Sequence, residues 1–289
     1  MRKPKIPRKE FNTFFPLLLK KPWLEDRFEE MMELTSLCSY ETQKALIYTL
    51  LTRFDYLDEN QCYLVLRRII TQVFDEWFLP RGKTQIVAVT LDENPDGAQA
   101  VLYDLKSLLA AEGIGAKDVK LVNRFGEATG NLYDCPNVVL IDDFVGSGWT
   151  IGNRVTQLRN NFNDKIRTTS KPVAYNIYVC AVACMEAARA EIDALGVQFF
   201  AGVFLRKGIA GYESGKALRR AYRDMLRLEA RIKDDGTAEE FPFGFKRAEA
   251  LVCLNVRNNV PNSVFPVFWW PRHSGGQKRT TMFHRFERT

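Results

Sequence analysis

Histidine is almost absent from this chain, and the two that occur, His273 and His284, both lie near the carboxyl terminus. Serine and cysteine hydrolases use histidine as a general base, and many metal sites use it as a ligand. The body of the chain therefore has no material for a Ser-His-Asp or Cys-His arrangement, an HExxH protease motif or a histidine-rich metal site.

Cysteine pairs with metal-binding spacing are missing as well. The six cysteines are scattered and none of them forms a CxxC motif. Cys180 and Cys184 are four residues apart, but Cys180 falls in a strand-like apolar run. This distribution indicates reduced, buried thiols and not a structural zinc site.

Long apolar runs are also lacking. No stretch approaches the roughly 18 apolar residues that a membrane span needs. The apolar run at 14–19 is short, contains Pro16 and is followed by two lysines instead of a small-residue cleavage site. It does not fit a secretory signal, so we expect a cytoplasmic protein with no membrane contact.

The composition that remains is that of an ordinary globular protein. The chain has 289 residues, of which 46% are apolar and 26% charged, and its formal net charge is 41 − 35 = +6. These values predict a sizeable core, arranged as one large domain or two ordinary ones.

Three regions follow from the residue pattern. Residues 1–81 have the apolar spacing of amphipathic helices and predict a helical N-terminal region. Residues 82–271 form a second region, in which strand-like and helix-like segments alternate. Residues 272–289 are polar and basic, which predicts a solvated tail or an arm that binds a partner.

Strand-like and helix-like segments alternate through the second region. Short β-branched runs predict strands at 85–91, 118–122, 137–141, 173–183 and 197–205. Helices are predicted between them at 98–111, 150–160 and 186–195, and residues 161–171 are predicted as a polar linker. This alternation predicts an α/β fold with a mainly parallel sheet, preceded by the N-terminal helical block.

The most informative stretch is residues 138–150, with the sequence VVLIDDFVGSGWT. It predicts a buried strand ending at Asp142 and Asp143, a glycine-bearing loop at 146–148 and a helix that begins at Thr150. Ligands of open α/β sheets bind beyond the carboxyl ends of the strands, and glycine loops before helix N-termini bind phosphate. Carboxylates accept hydrogen bonds from ribose hydroxyls, so this order of residues predicts a ribose-5-phosphate site.

The same stretch resembles the phosphoribosyl pyrophosphate signature of the type I phosphoribosyltransferases: four hydrophobic residues, two acids, three variable residues and Thr-Gly-x-Thr. The resemblance implies that Asp142 and Asp143 are the catalytic, ribose-binding acids. It implies that the 5-phosphate binds at Gly146, Ser147, Gly148, Trp149 and Thr150. Ser147 replaces the usual first threonine and keeps its hydroxyl. Gly146 replaces the aspartate that handles the base in 6-oxopurine enzymes, so the base is not assigned.

By this resemblance, the pyrophosphate loop follows the first strand and includes Asn94, Asp96, Gly97 and Ala98. Three acids in the segment 91–98 would repel pyrophosphate unless Mg²⁺ bridges them. We therefore expect Mg²⁺ as a cofactor, without an assignment of the residues that hold it.

A closer resemblance covers most of the chain. The helical lead-in, the DDF-x-GSG-x-T core and a late Pro-Asn-x-x-x-Pro-x-Phe-Trp-Trp segment, from Pro261 to Trp270, are similar to phosphoribosyltransferase-like proteins of bacterial conflict systems. Some of these are encoded beside retron reverse transcriptases. The resemblance implies an anti-phage effector. Its implied partners are a phosphoribosyl or nucleotide ligand, a reverse transcriptase–nucleic-acid complex or other defence-system proteins.

Two other interpretations of the motif stay open. The acidic segment after the first strand favours a non-catalytic subunit that keeps the phosphoribosyl pocket as a sensor or scaffold. The motif also resembles the S-adenosylmethionine loop of amino-methyltransferases, Asp-Pro-Phe-x-Gly-Ser-Gly-Thr-Thr. However, Asp143 replaces its proline, and the chain contains no Pro-Pro for the motif that holds the target amine.

Basic and aromatic residues cluster outside the motif. A predicted helix at 214–233 has a stripe of arginines spaced by four, namely Arg219, Arg223, Arg227 and Arg231. The stripe fits either a nucleic-acid contact or a solvated face with Arg220–Asp224 and Glu229–Lys233 pairs. The basic ends of the chain suggest an anionic partner. The aromatic residues at 264–271 fit either base stacking or a buried closing strand.

Overall fold

The computed structural model describes residues 8–90, 97–232, 241–254 and 260–285, without the side chains at positions 9, 10 and 13. The chain forms two compact units. One, the α/β unit, comprises residues 59–206; the other, the flanking unit, combines the described residues up to 58 with those from 207 onward. These divisions differ from the sequence-based boundaries at 81/82 and 271/272, because distant segments pair with each other.

The helices and strands of the described residues alternate along most of the chain. The helices are α1 (Arg8–Lys20), α2 (Phe28–Ser36), α3 (Glu41–Arg53), α4 (Glu59–Thr71), α5 (Gly97–Ala111), α6 (Trp149–Thr169), α7 (Arg189–Asp193) and α8 (Gly215–Glu229). The strands are β1 (Asp55–Leu57), β2 (Thr84–Ala88), β3 (Lys120–Val122), β4 (Asn137–Val145), β5 (Asn176–Met185), β6 (Gln198–Leu205) and β7 (Val252–Leu254).

The α/β unit is built on a five-stranded sheet in the order β3-β2-β4-β5-β6, in which every neighbouring pair is parallel. Its central strands are apolar runs with almost every residue buried, as expected where helices cover both faces of a parallel sheet. The prediction of an α/β fold with a mainly parallel sheet is confirmed.

Helix α6 is longer than its sequence pattern predicts. It continues to Thr169, so the predicted polar linker at 161–171 is wrong. The ring of Phe162 is fully buried and meets Tyr175 edge-on, and the Lys165 ammonium donates to the carbonyl of Thr129 at 2.7 Å. Phe162 continues the buried row of Ile151, Val155 and Leu158, which holds this polar helix against the unit.

The flanking unit joins segments from both ends of the chain. Strand β1 pairs in parallel with β7, with Asp55 opposite Val252 and Leu57 opposite Leu254. The late aromatic segment is buried, but it forms a 3₁₀ turn over Pro266–Phe268, so the predicted closing strand is wrong. Pro266 at the start of that turn lacks the N–H that a strand ladder would use.

The segment that the sequence presents as a basic tail is packed in part: residues 274–278 are exposed, whereas residues 281–283 are buried. Met282 and Phe283 are fully buried, and Arg279 is only 8% exposed. The Phe283 ring stacks on Phe54 at a centroid distance of 4.9 Å. Two apolar side chains among polar residues are a weak sequence signal, yet they hold this segment in the core of the flanking unit.

Candidate functional site

The reversal of strand order in the α/β unit marks the place where a ligand is expected. Strand β2 lies between β3, the next strand along the chain, and β4, the one after it. In open α/β sheets of this order, ligands bind at the carboxyl ends of the two strands on either side of the reversal. The site is therefore built where β2 and β4 end.

Asp142 and Asp143 lie at this end of β4, which continues through Val145 because its pairing with β5 extends to Cys184. Asp142 is only 8% exposed, and its Oδ1 accepts a hydrogen bond from the Asp143 amide at 2.9 Å. Successive side chains of a strand point to opposite faces, so the two carboxylates leave β4 on different sides.

The Asp143 carboxylate lies against the first turn of α5. A Cβ atom built on Gly97 would come within 2.1 Å of the Asp143 Oδ2 atom. Only glycine allows this approach. The N-terminus of a helix favours negative charge, so the start of α5 suits a carboxylate at this position. Of the predicted pyrophosphate-loop residues, Gly97 and the buried Ala98 open α5, whereas Asn94 and Asp96 lie outside the described residues.

The predicted phosphate loop connects β4 to α6 at the same end of the sheet. Gly148 is buried at the helix N-cap with φ +79°, and a Cβ there would lie 3.2 Å from the Glu191 Cβ. The Ser147 hydroxyl accepts a hydrogen bond from the Trp149 amide at 3.4 Å. Gly146 and Ser147 are half-buried, whereas Trp149 and Thr150 are exposed. The structure thus brings all five loop residues to the edge where the two acids lie.

Arg154 is a site residue that the sequence interpretation missed. It lies one turn after Thr150 on α6, and its Nε donates to the Val89 carbonyl, just beyond β2, at 2.7 Å. Its guanidinium lies over the Phe125 ring, 5.5 Å from the centroid. The i,i+4 spacing from Thr150 was the available signal. Through Arg154 the structure places a cation beside the crevice between β2 and β4.

Cysteine chemistry is disfavoured next to the acids. Burial raises the pKa of the Cys184 thiol to about 12, and the nearby Asp142 carboxylate adds to that effect. Burial also raises the pKa of Cys180. Because the thiolate is the nucleophile, burial disfavours nucleophilic chemistry at both thiols.

A resident metal finds little support from protein ligands alone. Among the described residues, no three His, Cys, Asp or Glu side chains are grouped so that they could hold a metal ion. Mg²⁺ commonly binds one or two carboxylates together with the phosphates of a substrate. Asp142 and Asp143 fit that smaller donor set.

In the same described part of the chain, no helix is long and apolar enough to cross a membrane.

Solved structures resemble the chain only in part. An orotate phosphoribosyltransferase from Aeropyrum pernix is 16% identical, with 51% of this chain and 72% of that chain covered and a TM-score of 0.32. An orotate phosphoribosyltransferase from Mycobacterium tuberculosis H37Rv, solved with inorganic phosphate, is 15% identical, with 55% and 77% covered and a TM-score of 0.33. A hypothetical protein from Neisseria gonorrhoeae with bound ppGpp is 12% identical, with 53% and 85% covered and a TM-score of 0.34.

The match to a family model is far more extensive. No curated protein matches the chain in sequence. The model PRTase-CE, in which PRTase denotes phosphoribosyltransferase, matches residues 23–285. This range includes both acids, the predicted phosphate loop and the late aromatic segment. The chain therefore belongs to the PRTase-CE family.

Proposed function

We propose that the protein binds phosphoribosyl pyrophosphate or another ribose-5-phosphate compound at the crevice between β2 and β4. The observation that carries this proposal is the placement of two strand-end carboxylates beside a Gly-Ser-Gly loop and the N-terminus of the 21-residue helix α6. Membership of the PRTase-CE family supports it.

Each part of such a ligand has a matching group. The amides at the start of α6 and the hydroxyls of Ser147 and Thr150 suit the 5-phosphate. The carboxylates of Asp142 and Asp143 suit the ribose hydroxyls, which donate hydrogen bonds to them. Mg²⁺ would be held by the carboxylates together with the ligand, and it would neutralise charge on the pyrophosphate oxygens. Arg154 would add positive charge beside the crevice.

If the site is catalytic, the reaction is transfer or hydrolysis at ribose C1. Positive charge grows at C1 as the bond to the leaving group breaks, and a carboxylate nearby stabilises it. A non-catalytic sensor or scaffold is the second candidate. This candidate is favoured by the position of the two histidines, His273 and His284. Both belong to the flanking unit, so the α/β unit has no histidine that could act as a general base.

We further propose that the protein acts as a retron-type anti-phage effector in the bacterial cytoplasm, on the strength of the resemblance to conflict-system proteins. Expressed without partner proteins, an active effector is expected to arrest growth of the host. Growth curves after induction test this. Normal growth at full expression would contradict an effector that is active by itself and would favour the scaffold.

Titration calorimetry with three ligands tests the binding proposal. Phosphoribosyl pyrophosphate is expected to bind, and more tightly with Mg²⁺ than with a chelator present, because the metal offsets repulsion between carboxylates and phosphates. Ribose-5-phosphate is expected to bind with less dependence on Mg²⁺. Binding of S-adenosylmethionine with no response to either phosphoribosyl compound would replace the proposal with the methyltransferase.

A further inference from the structure

Helix α8 of the flanking unit has an exposed face that is rich in arginine. We propose that this face binds the phosphate backbone of a single-stranded nucleic acid. The surface is defined by Arg219, Arg220, Arg223 and Arg227, called here the arginine face. It belongs to a different unit from the ribose-phosphate site, so the two proposals stand or fall separately.

The helix sorts its charges strictly between inside and outside. Its two acids, Asp224 and Glu229, are 3% and 1% exposed, and Glu229 accepts the Phe243 amide at 3.2 Å. Lys216 and the four arginines of the face are all exposed. Among the described residues, the Arg220–Asp224 pair of an ordinary solvated face does not form, because Asp224 is directed into the unit.

The arginine face is also short of ion-pair partners. Its closest described carboxylate is that of Asp224, 3.9 Å from the Arg223 Nε. Within the described residues, Arg219 and Arg220 form no salt bridge. Uncompensated guanidinium groups on a rigid helix create a local positive potential that attracts a polyanion.

The spacing of the arginines suits a linear polyanion. Arg219, Arg223 and Arg227 follow one another at about 6 Å along the helix axis, and Arg220 lies within about 100° of them around it. Guanidinium is the group that binds phosphate oxygens in pairs, which favours a phosphate backbone over the dispersed carboxylates of an acidic protein.

Apolar and aromatic surface lies between the cations. A groove of about 550 Å³ runs along the helix and is lined by Arg219, Tyr222, Arg223, Leu226, Arg227 and Ala230. Leu226 is 45% exposed, and Tyr40, which is 59% exposed, lies under the Arg227 guanidinium at 6.0 Å from its ring centroid. Cations along a backbone with aromatic and apolar surface for bases characterise single-strand binding.

Fluorescence anisotropy with a labelled, mixed-sequence single strand of about 12 nucleotides tests the proposal. Each neutralised phosphate contributes about −0.7 to the slope of log K against log salt. Four contacts predict a slope of about −3 for the full chain. The variant Arg219→Gln/Arg223→Gln/Arg227→Gln is expected to lose about 2 of that slope and to bind about a hundredfold more weakly near 0.1 M salt.

Two further variants separate charge from structure. Lys106→Gln/Lys117→Gln/Lys171→Gln removes the same charge from exposed positions of the α/β unit and is expected to keep the slope. Arg219→Lys/Arg223→Lys/Arg227→Lys keeps the charge of the arginine face and is also expected to keep the slope. Loss of the slope in either variant would overturn the proposal.

Two further measurements concern acidic groups: those of this chain that follow α8 in sequence, and those of alternative ligands. Residues 233–240, which lie outside the described residues, contain Asp234, Asp235, Glu239 and Glu240. Their amide variants are expected to bind the oligonucleotide at least as tightly as the natural chain. The proposal is overturned by a natural chain that ignores the oligonucleotide, or by one that prefers poly-glutamate or vesicles of anionic lipid.

Discussion

Changing Asp142 and Asp143 together to asparagine is expected to weaken binding of phosphoribosyl pyrophosphate at least about tenfold. A hydrogen bond to a charged group contributes about 1.5–3 kcal/mol, and about 1.4 kcal/mol corresponds to a factor of ten. The fold is expected to survive, because an asparagine Oδ1 at position 142 can still accept the amide of residue 143. Calorimetry with Mg²⁺ measures the change.

The control for this variant removes equal charge from the opposite end of the sheet. Asp134 is exposed and precedes β4, and the Asp164 side chain is 66% exposed on α6. Asp134→Asn/Asp164→Asn is expected to bind the ligand as the natural chain does. Equal affinities in all three proteins would show that the ligand lies elsewhere.

The substitution Gly97→Ala disturbs the Asp143 carboxylate without changing the charge of the chain. The added Cβ would come within 2.1 Å of the Asp143 Oδ2, so the carboxylate or the start of α5 must move. We expect a loss of affinity in the same direction as that of the asparagine variant. An alanine variant that binds normally would mean that the position of Asp143 is unimportant for the ligand.

Phe283→Ala is expected to lower the free energy of unfolding by about 3–5 kcal/mol, the usual cost of deleting a buried ring. The side chain is fully buried, and its ring stacks on Phe54 at 4.9 Å and on Trp23 at 5.7 Å. Urea unfolding followed by tryptophan fluorescence measures the loss, since Trp23, Trp269 and Trp270 belong to the same unit.

An exposed phenylalanine of the same unit provides the comparison. Phe11 is 47% exposed, so Phe11→Ala is expected to change the free energy of unfolding by about 0.5 kcal/mol or less. A Phe283→Ala protein as stable as the Phe11→Ala protein would restore the solvated tail predicted from composition.

Much of the candidate site could be predicted because it is continuous in sequence. The strand residues, the two acids and the loop that leads into α6 occupy one stretch, 138–150. Each of its parts has a local cause: apolar β-branched residues form a buried strand, glycines permit the turn, and a helix follows. Short-range patterns of this kind also predicted the alternation of strands and helices, and hence the α/β class.

Sequence patterns could not supply the contacts between distant segments. The Gly97–Asp143 approach, the Arg154–Val89 hydrogen bond and the pairing of β1 with β7 join residues that are far apart in the chain. Nothing in a three-residue strand such as Asp55–Leu57 indicates its partner. Such pairings depend on which surfaces remain to be buried after the helices and strands have formed.

The sequence by itself therefore determined the class of fold and predicted the acids and the loop of the candidate site, because short-range periodicity and glycine placement encode them. Only the tertiary structure decided that residues 281–283 are buried, that α6 extends to Thr169 and that the acids of α8 are directed inward. The physical reason is the same in each case. Burial of Phe283, Phe162 or Asp224 depends on neighbours contributed by other segments, and composition alone does not reveal them.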